Sequence, residues 1–216
     1  MDIKQILLVV AAMLVSYLWG SIPSAYLAGK FRKNVDIRDV GSRNAGAMNV
    51  FYSVGFISGL IVLGMDIGKG VLAIYCTEQI LSIPNQPVTL WQFVSGVTVV
   101  LGHNFPVWLK FKGGKGGATC IGVLVAMMPW STPFYLVLFL LLMLITRFPT
   151  LSYSIAFIIF PIFAWFIYNQ QIALAIYSVA ILILPGIRYI PRLQEMYRKG
   201  GSWKRVFQRK SLKDRL

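Results

Sequence analysis

The stretch ILLVVAAMLVSYLWGSIPSAYLA, residues 6–28, contains no charged residue and runs directly into Lys30-Phe31-Arg32-Lys33. A helix of that length, rising about 1.5 Å per residue, crosses a hydrocarbon layer roughly 30 Å thick. A secretory signal would have a shorter apolar core and a small-residue cleavage site. The basic segment that follows marks a retained membrane helix instead.

Outward from this stretch, apolar segments recur at about Phe56–Ile80, Trp91–Leu109, Ala118–Met128, Pro133–Ile145, Leu151–Tyr168 and Ile172–Ile187, giving seven candidate spans. The fourth and fifth are short and meet at Pro129-Trp130-Ser131-Thr132-Pro133, whose prolines favour a turn. Five or six spans are the competing counts. Apolar residues make up 57% of the 216 positions and charged residues 13%, against about half and a quarter in soluble domains. The mean hydropathy of +0.69 agrees. The expected fold is therefore all-α: a polytopic transmembrane helical bundle of about seven spans over residues 1–187, followed by a basic tail over 188–216.

The net charge of +14 would point to nucleic acid in a soluble protein. Its distribution argues against that partner. Lys and Arg cluster after Pro185, between Lys30 and Arg43, and between Lys110 and Lys115. Basic loops stay on the cytoplasmic side of a membrane. Seven spans with the amino terminus outside and the carboxyl terminus inside place 19 of the 21 basic residues in cytoplasmic loops. The loops Leu81–Leu90, the Pro129 turn and Asn169–Gln171 then face outward and carry none. In the tail, basic residues alternate with Tyr197, Trp203 and Phe207, a pattern suited to an anionic leaflet and equally to a solvated stop-transfer segment. Cys76 and Cys120 stand in separate apolar stretches and read as small core residues. The pattern specifies no oligomeric state.

Asp66 and Lys69 lie inside the second span, three residues apart and so on one helix face. A charge at a span centre costs about 2.5–3.5 kcal/mol, so such groups pair or face a polar cavity. Gly64, Gly68 and Gly70 beside them would admit another backbone, as would Gly55, Ser58 and Gly59 at the start of the span.

Two inside loops have the chemistry of anion sites. The first, Val40-Gly41-Ser42-Arg43-Asn44-Ala45-Gly46-Ala47-Met48-Asn49, offers small residues, a hydroxyl and two amides to a phosphate, although a plain surface turn would look similar. The second, Phe111-Lys112-Gly113-Gly114-Lys115-Gly116-Gly117, brackets one lysine with glycines at the start of a membrane helix. That arrangement joins open N–H groups, a positive helix end and a mobile cation. It lacks Walker spacing, so phosphate binding is favoured over nucleotide hydrolysis. His103, the single histidine, lies upstream in Leu101-Gly102-His103-Asn104-Phe105-Pro106. It cannot belong to a His-rich metal site. No Asp follows at His-x-x-x-x-Asp spacing, and a structural role is as good a reading.

Taken in order, Gly20-Ser21-Ile22-Pro23-Ser24, Gly41-Ser42-x-Asn44-x-Gly46-Ala47-x-Asn49, Asp66-x-x-Lys69-Gly70, and the string from Gly102-His103-x-Phe105-Pro106 to Phe111-x-Gly113-Gly114-Lys115-Gly116 resemble the bacterial acyl-phosphate:glycerol-3-phosphate acyltransferases, integral membrane enzymes of phospholipid synthesis. The resemblance implies acyl transfer from acyl phosphate to the 1-hydroxyl of glycerol 3-phosphate in the cytoplasmic (inner) membrane, without nucleotide, cofactor or metal. It implies catalytic roles for Ser42, Asn44, His103 and Lys115. It also implies substrate phosphate binding by Gly41, Ser42, Arg43, Asn44, Gly46, Asn49, Lys69, Gly113, Gly114, Lys115 and Gly116, with Asp66 supporting.

The chain departs from the family pattern at Met48, where the family has Thr, at Tyr52, where it has Arg, and at Arg43, where Gly is usual. Aligning Arg192-Leu193 puts Gly186 and Tyr189 where the family carries His-x-x-Asn. These departures keep two other readings open: a relative with an altered acceptor or no catalysis, and a proton-coupled carrier built on Asp66, Lys69 and His103.

Overall fold

The computed structural model describes residues 2–82 and 89–207, with the side chains of residues 149 and 150 excepted. Most of the expected Leu81–Leu90 loop and the last nine residues of the basic tail lie outside the described residues. All regular structure among the described residues is helical. The chain forms two compact units, Met1–Met127 and Met128–Leu216.

In the first unit the chain runs through α1 (Ile3–Ser21), α2 (Ser24–Lys33), α3 (Ala47–Ser53), α4 (Phe56–Ile80), α5 (Leu90–Asn104) and α6 (Gly117–Met127). Helix α1 opens on a capping box made by Asp2 and Gln5. The expected single span over 6–28 is broken at Ile22-Pro23, because Ile22 precedes a proline and takes an extended ψ of 117°. Helix α2 ends at Asn34, whose left-handed backbone (φ 53°) stops the turn. The expected span over 91–109 stops at Asn104 for the same reason as the first: Phe105 leaves the helix ahead of Pro106.

Helix contacts are made by glycines. A Cβ on Gly20 would strike the Val99 carbonyl, and one on Gly102 the Tyr17 carbonyl, so α1 and α5 cross backbone to backbone. Gly70 and Gly122 do the same for α4 and α6, against Thr119 and Ile67 respectively. Such close approach is the usual way for helices to gain van der Waals contact in lipid. Gly59 abuts Phe51, whereas a Cβ on Gly55, Gly64 or Gly68 would meet no atom of the described residues within 4 Å.

Where α1, α4 and α5 meet, hydroxyls replace aliphatic packing. Ser16 Oγ is 2.8 Å from Ser95 Oγ, and Thr77 Oγ1 donates to Ser95 Oγ at 2.8 Å. Buried Ser16, Asp66, Lys69, Thr77, Ser95 and Asn104 contrast with outward Leu7, Val10, Leu14, Ile57 and Ile61, all more than half exposed. An apolar exterior around a polar interior fits lipid as the solvent.

The second unit contains α7 (Thr132–Thr146), α8 (Pro149–Ile167), α9 (Ile172–Ala180), α10 (Ile183–Gly200) and α11 (Trp203–Phe207). Buried Tyr135 packs against Phe157 and Phe160 with ring centroids 5.0 and 6.2 Å away. The Trp130 N–H donates to the Tyr168 hydroxyl at 3.1 Å. The expected span over 172–187 is divided at Ile181-Leu182, and α10 continues past residue 188 until Gly201 (φ 70°) ends it.

Among the described residues, four stretches are long and apolar enough to cross a membrane: Ile3–Lys33, Phe56–Ile80, Pro129–Thr146 and Ile172–Gly200. Gly117–Met127 and Leu151–Ile167 are shorter apolar helices.

Candidate active site

The first inside loop owes its shape to Asn49. Its amide nitrogen donates to the carbonyls of Ile37 (2.8 Å), Val40 (3.0 Å) and Asn44 (3.1 Å). Its Oδ1 accepts from the Ser42 N–H at 3.0 Å and from the Ser53 hydroxyl at 3.2 Å. Both ends of this buried side chain are therefore occupied by the protein. Asn49 builds the loop, its side chain committed to the main chain of residues 37–44 and to the Ser53 hydroxyl. Gly41 is demanded by the same contact: its φ is 59°, and a Cβ would collide with Asn49 Oδ1.

Ser42 and Asn44 are half-buried, and Arg43 is exposed at φ 57°. Gly46 is the N-cap of α3 and lies against the Asn44 amide. Met48 and Tyr52 fall on α3, with the Tyr52 ring edge-on to Phe51 at 4.9 Å.

The second inside loop folds back onto the end of α5. The Gly113 N–H donates to the Asn104 carbonyl and the Gly114 N–H to the His103 carbonyl, both at 3.1 Å. Side chains are excluded here: a Cβ on Gly113 would strike the His103 carbonyl, and one on Gly116 (φ 88°) would lie 2.8 Å from Asn104 Oδ1. Lys115 is half-buried, two residues ahead of α6.

The two loops meet. A Cβ on Gly114 would strike His103 Nε2 and lie 2.7 Å from the Ala45 carbonyl oxygen of the first loop. Arg38 makes a second tie, donating from Nη1 to the Leu109 carbonyl at 3.2 Å. Asp36 orients that guanidinium through contacts of 2.6–3.1 Å. This hydrogen-bonded pairing with Arg38 holds the Asp36 carboxyl below its ordinary range. The Arg38 guanidinium also stands 5.5 Å from the centroid of the Tyr26 ring.

Beneath the junction lies a narrow crevice of mixed polar and apolar lining. Ala45, Asp66, Lys69, His103, Gly113 and Gly114 line it together with Ile22–Tyr26, Pro106 and Leu109. Lys69 Nζ is 2.9 Å from Asp66 Oδ1 and donates to the carbonyls of Ile22 (2.9 Å) and Gly20 (3.3 Å). The Asp66 contact is a direct ion pair, placed too obliquely for a hydrogen bond. The break between α1 and α2 thus supplies the acceptors that hold the ammonium. Asp66 Oδ1 also lies 3.7 Å from His103 Nδ1, so a carboxylate and an imidazole far apart in sequence become neighbours. Of the expected site residues, the crevice gathers Asp66, Lys69, His103, Gly113 and Gly114, while Ser42, Asn44 and Lys115 stand close to its walls along the chain.

The profile of the glycerol-3-phosphate acyltransferase family matches residues 10–199. This chain belongs to that family. It is 46% identical to glycerol-3-phosphate acyltransferase 2 of Dehalococcoides mccartyi (strain ATCC BAA-2266 / KCTC 15142 / 195), over 99% of this chain and all of that protein. It is 34% identical to the glycerol-3-phosphate acyltransferase of Endomicrobium trichonymphae, over 92% of this chain and 96% of that one.

Among solved structures, PlsY (YgiH), described as an integral membrane glycerol 3-phosphate acyltransferase, matches in its glycerol 3-phosphate form with a TM-score of 0.78. The identity is 29%, over 88% of this chain and 92% of that chain. The lysophosphatidic acid form matches with a TM-score of 0.76 and 28% identity. Family, fold and apolar helices together make this an acyltransferase-family enzyme that is a multi-pass membrane protein.

Three crevice neighbours carry no strong sequence signal. Arg38 is one of several basic residues in its loop, and only the folded chain shows it clamping the second loop. Ser24 and Tyr26 belong to an apolar run; the sole hint is that Ser24 closes the Gly20–Ser24 string.

Proposed function

We propose that this chain transfers a fatty acyl group from acyl phosphate to the 1-hydroxyl of glycerol 3-phosphate at the crevice between the two inside loops. The hydroxyl oxygen bonds to the carbonyl carbon, the carbon–oxygen bond to phosphate breaks, and lysophosphatidic acid and phosphate leave. The hydroxyl proton passes to the departing phosphate or to a neighbouring group. The observation that carries this reading is the meeting of the two phosphate-type loops at Gly114, Ala45 and His103. The forms named for the matched PlsY structures, glycerol 3-phosphate and lysophosphatidic acid, correspond to the acceptor and product.

In this reading Lys115 holds a substrate phosphate, with Ser42 and Asn44 at the edge of the same chamber, while Gly113 and Gly114, whose N–H groups are given to the Asn104 and His103 carbonyls, shape the loop that carries it. His103, positioned by Asp66, stands beside the reacting centre. Placement and stabilisation of charge at the carbonyl oxygen supply the rate enhancement. Acyl chains enter sideways from lipid. Seven spans, with the amino terminus outside and the basic tail over 188–216 at the cytoplasmic face of the inner membrane, put both loops on the side where basic residues concentrate.

The test is purified protein supplied with acyl phosphate and radiolabelled glycerol 3-phosphate, beside an active homologue. Labelled lysophosphatidic acid is expected; none, with the homologue active, refutes the assignment. Lys115→Ala should raise the KM of a phosphate substrate about tenfold, the scale of a lost charge-assisted contact. Unchanged kinetics would remove Lys115 from the site.

A further inference from the structure

Ser24 is 3% exposed, and its hydroxyl has no hydrogen-bond partner among the described residues. It lines the crevice in the company of Lys69, His103 and Gly114. A buried hydroxyl without a partner costs about 1–3 kcal/mol, so a residue of this kind calls for an explanation. Two further observations concern the same place.

Helix α2, ten residues long, begins at Ser24 with Pro23 as its N-cap, and no side chain caps it. Proline has no side-chain oxygen to offer. Ala25 and Tyr26, which also line the crevice, have no acceptor four residues back within α2. The positive end of a helix therefore opens into the crevice, where an anion is favoured. The carboxylate there, Asp66, is met by the Lys69 ammonium at 2.9 Å, so the surface is not left net negative.

We infer that the first turn of α2 is a third phosphate-binding wall of the site, with the Ser24 hydroxyl donating to a phosphate oxygen. The ligand is a phosphate monoester or acyl phosphate, the chemistry shared by both substrates. The inference rests on the proposed acyltransferase reading and adds a binding residue to it. It also gives the break at Ile22-Pro23 a purpose: an unbroken helix would have its backbone N–H groups satisfied within itself and would present none at this depth.

The experiment compares Ser24→Ala and Ser24→Thr with the unaltered enzyme, varying each substrate separately and measuring inhibition by inorganic phosphate. Ser24→Ala should raise the inhibition constant for phosphate and the KM of at least one substrate by about tenfold. A rise confined to acyl phosphate places the donor phosphate at α2, and one confined to glycerol 3-phosphate places the acceptor there. Ser24→Thr, which keeps the hydroxyl, should recover most of the loss. Ser24→Ala with both KM values and the phosphate inhibition unchanged overturns the inference, as does equal loss in both variants together with a lowered Tm.

Should the unaltered protein prove inactive, the function reading falls and the phosphate site is still testable. Inorganic phosphate should raise the Tm of the unaltered protein and not that of Ser24→Ala. An equal rise in both overturns it.

Discussion

Replacing Gly114 by alanine tests the junction on which the active-site reading depends. The added methyl would strike His103 Nε2 on one side and lie 2.7 Å from the Ala45 carbonyl oxygen on the other, 0.7 Å inside the 3.4 Å at which ordinary contact begins. Neither neighbour can yield cheaply. The imidazole is buried beside Asp66, and the carbonyl belongs to a loop held by Asn49 and Arg38. The two loops must therefore separate by close to an ångström.

Overpacking of this kind costs about 1–3 kcal/mol of stability, while displacing positioned reacting groups by about 1 Å costs on the order of a hundredfold in rate. The assay is kcat/KM for acyl transfer beside thermal unfolding in detergent. Activity should fall far more steeply than Tm. A Gly114→Ala enzyme with near-normal kcat/KM would show that the two loops need not touch, and the shared chamber would have to be abandoned.

Two further outcomes follow from buried polar groups. Lys69→Met strips Asp66 of its ammonium and should destabilise the protein by about 3–5 kcal/mol, with Lys69→Met combined with Asp66→Leu recovering part of it; a single variant of normal Tm would contradict the ion-pair account. Asn49→Ala removes all five hydrogen bonds of that side chain, so the loop over 34–46 should become protease-sensitive and acyl transfer should be lost. Undiminished activity would mean that the loop holds its shape without Asn49.

Much of the fold is legible because lipid writes a coarse signal. Runs such as residues 6–28 and 56–80 need only length and apolarity, and Lys30, Arg32 and Lys33 after the first run need only their charge. Helix ends are less legible, since Pro23 and Pro106 act through the residue before them and the strength of each break depends on what receives the freed carbonyls. Lys69 receives those of Gly20 and Ile22, a contact that sequence spacing does not announce.

In the site, the glycine-lysine loop is readable from residue types alone. Asn49 is not, because an amide beside a glycine turn looks the same whether it binds substrate or its own backbone. The pairing of His103 with Asp66 crosses between α5 and α4, so a search at fixed sequence spacing cannot find it. Ser24 stands in the Gly20–Ser24 string but is not marked there as a ligand, because serine is common in membrane helices, where it usually bonds to its own backbone, as Ser16 does with Ala12.

The glycine crossings bear on how variation in such proteins should be interpreted. Gly20, Gly70, Gly102 and Gly122 touch no reactant in the proposed chemistry, yet a single added carbon at any of them meets main chain of another helix. Mutational scans would score these four as harshly as Lys115, and two of them stand inside the same short motifs as Ser24 and His103. Intolerance at such a position records a steric veto, and separating it from chemistry requires asking whether the variant fails to assemble or assembles and fails to turn over.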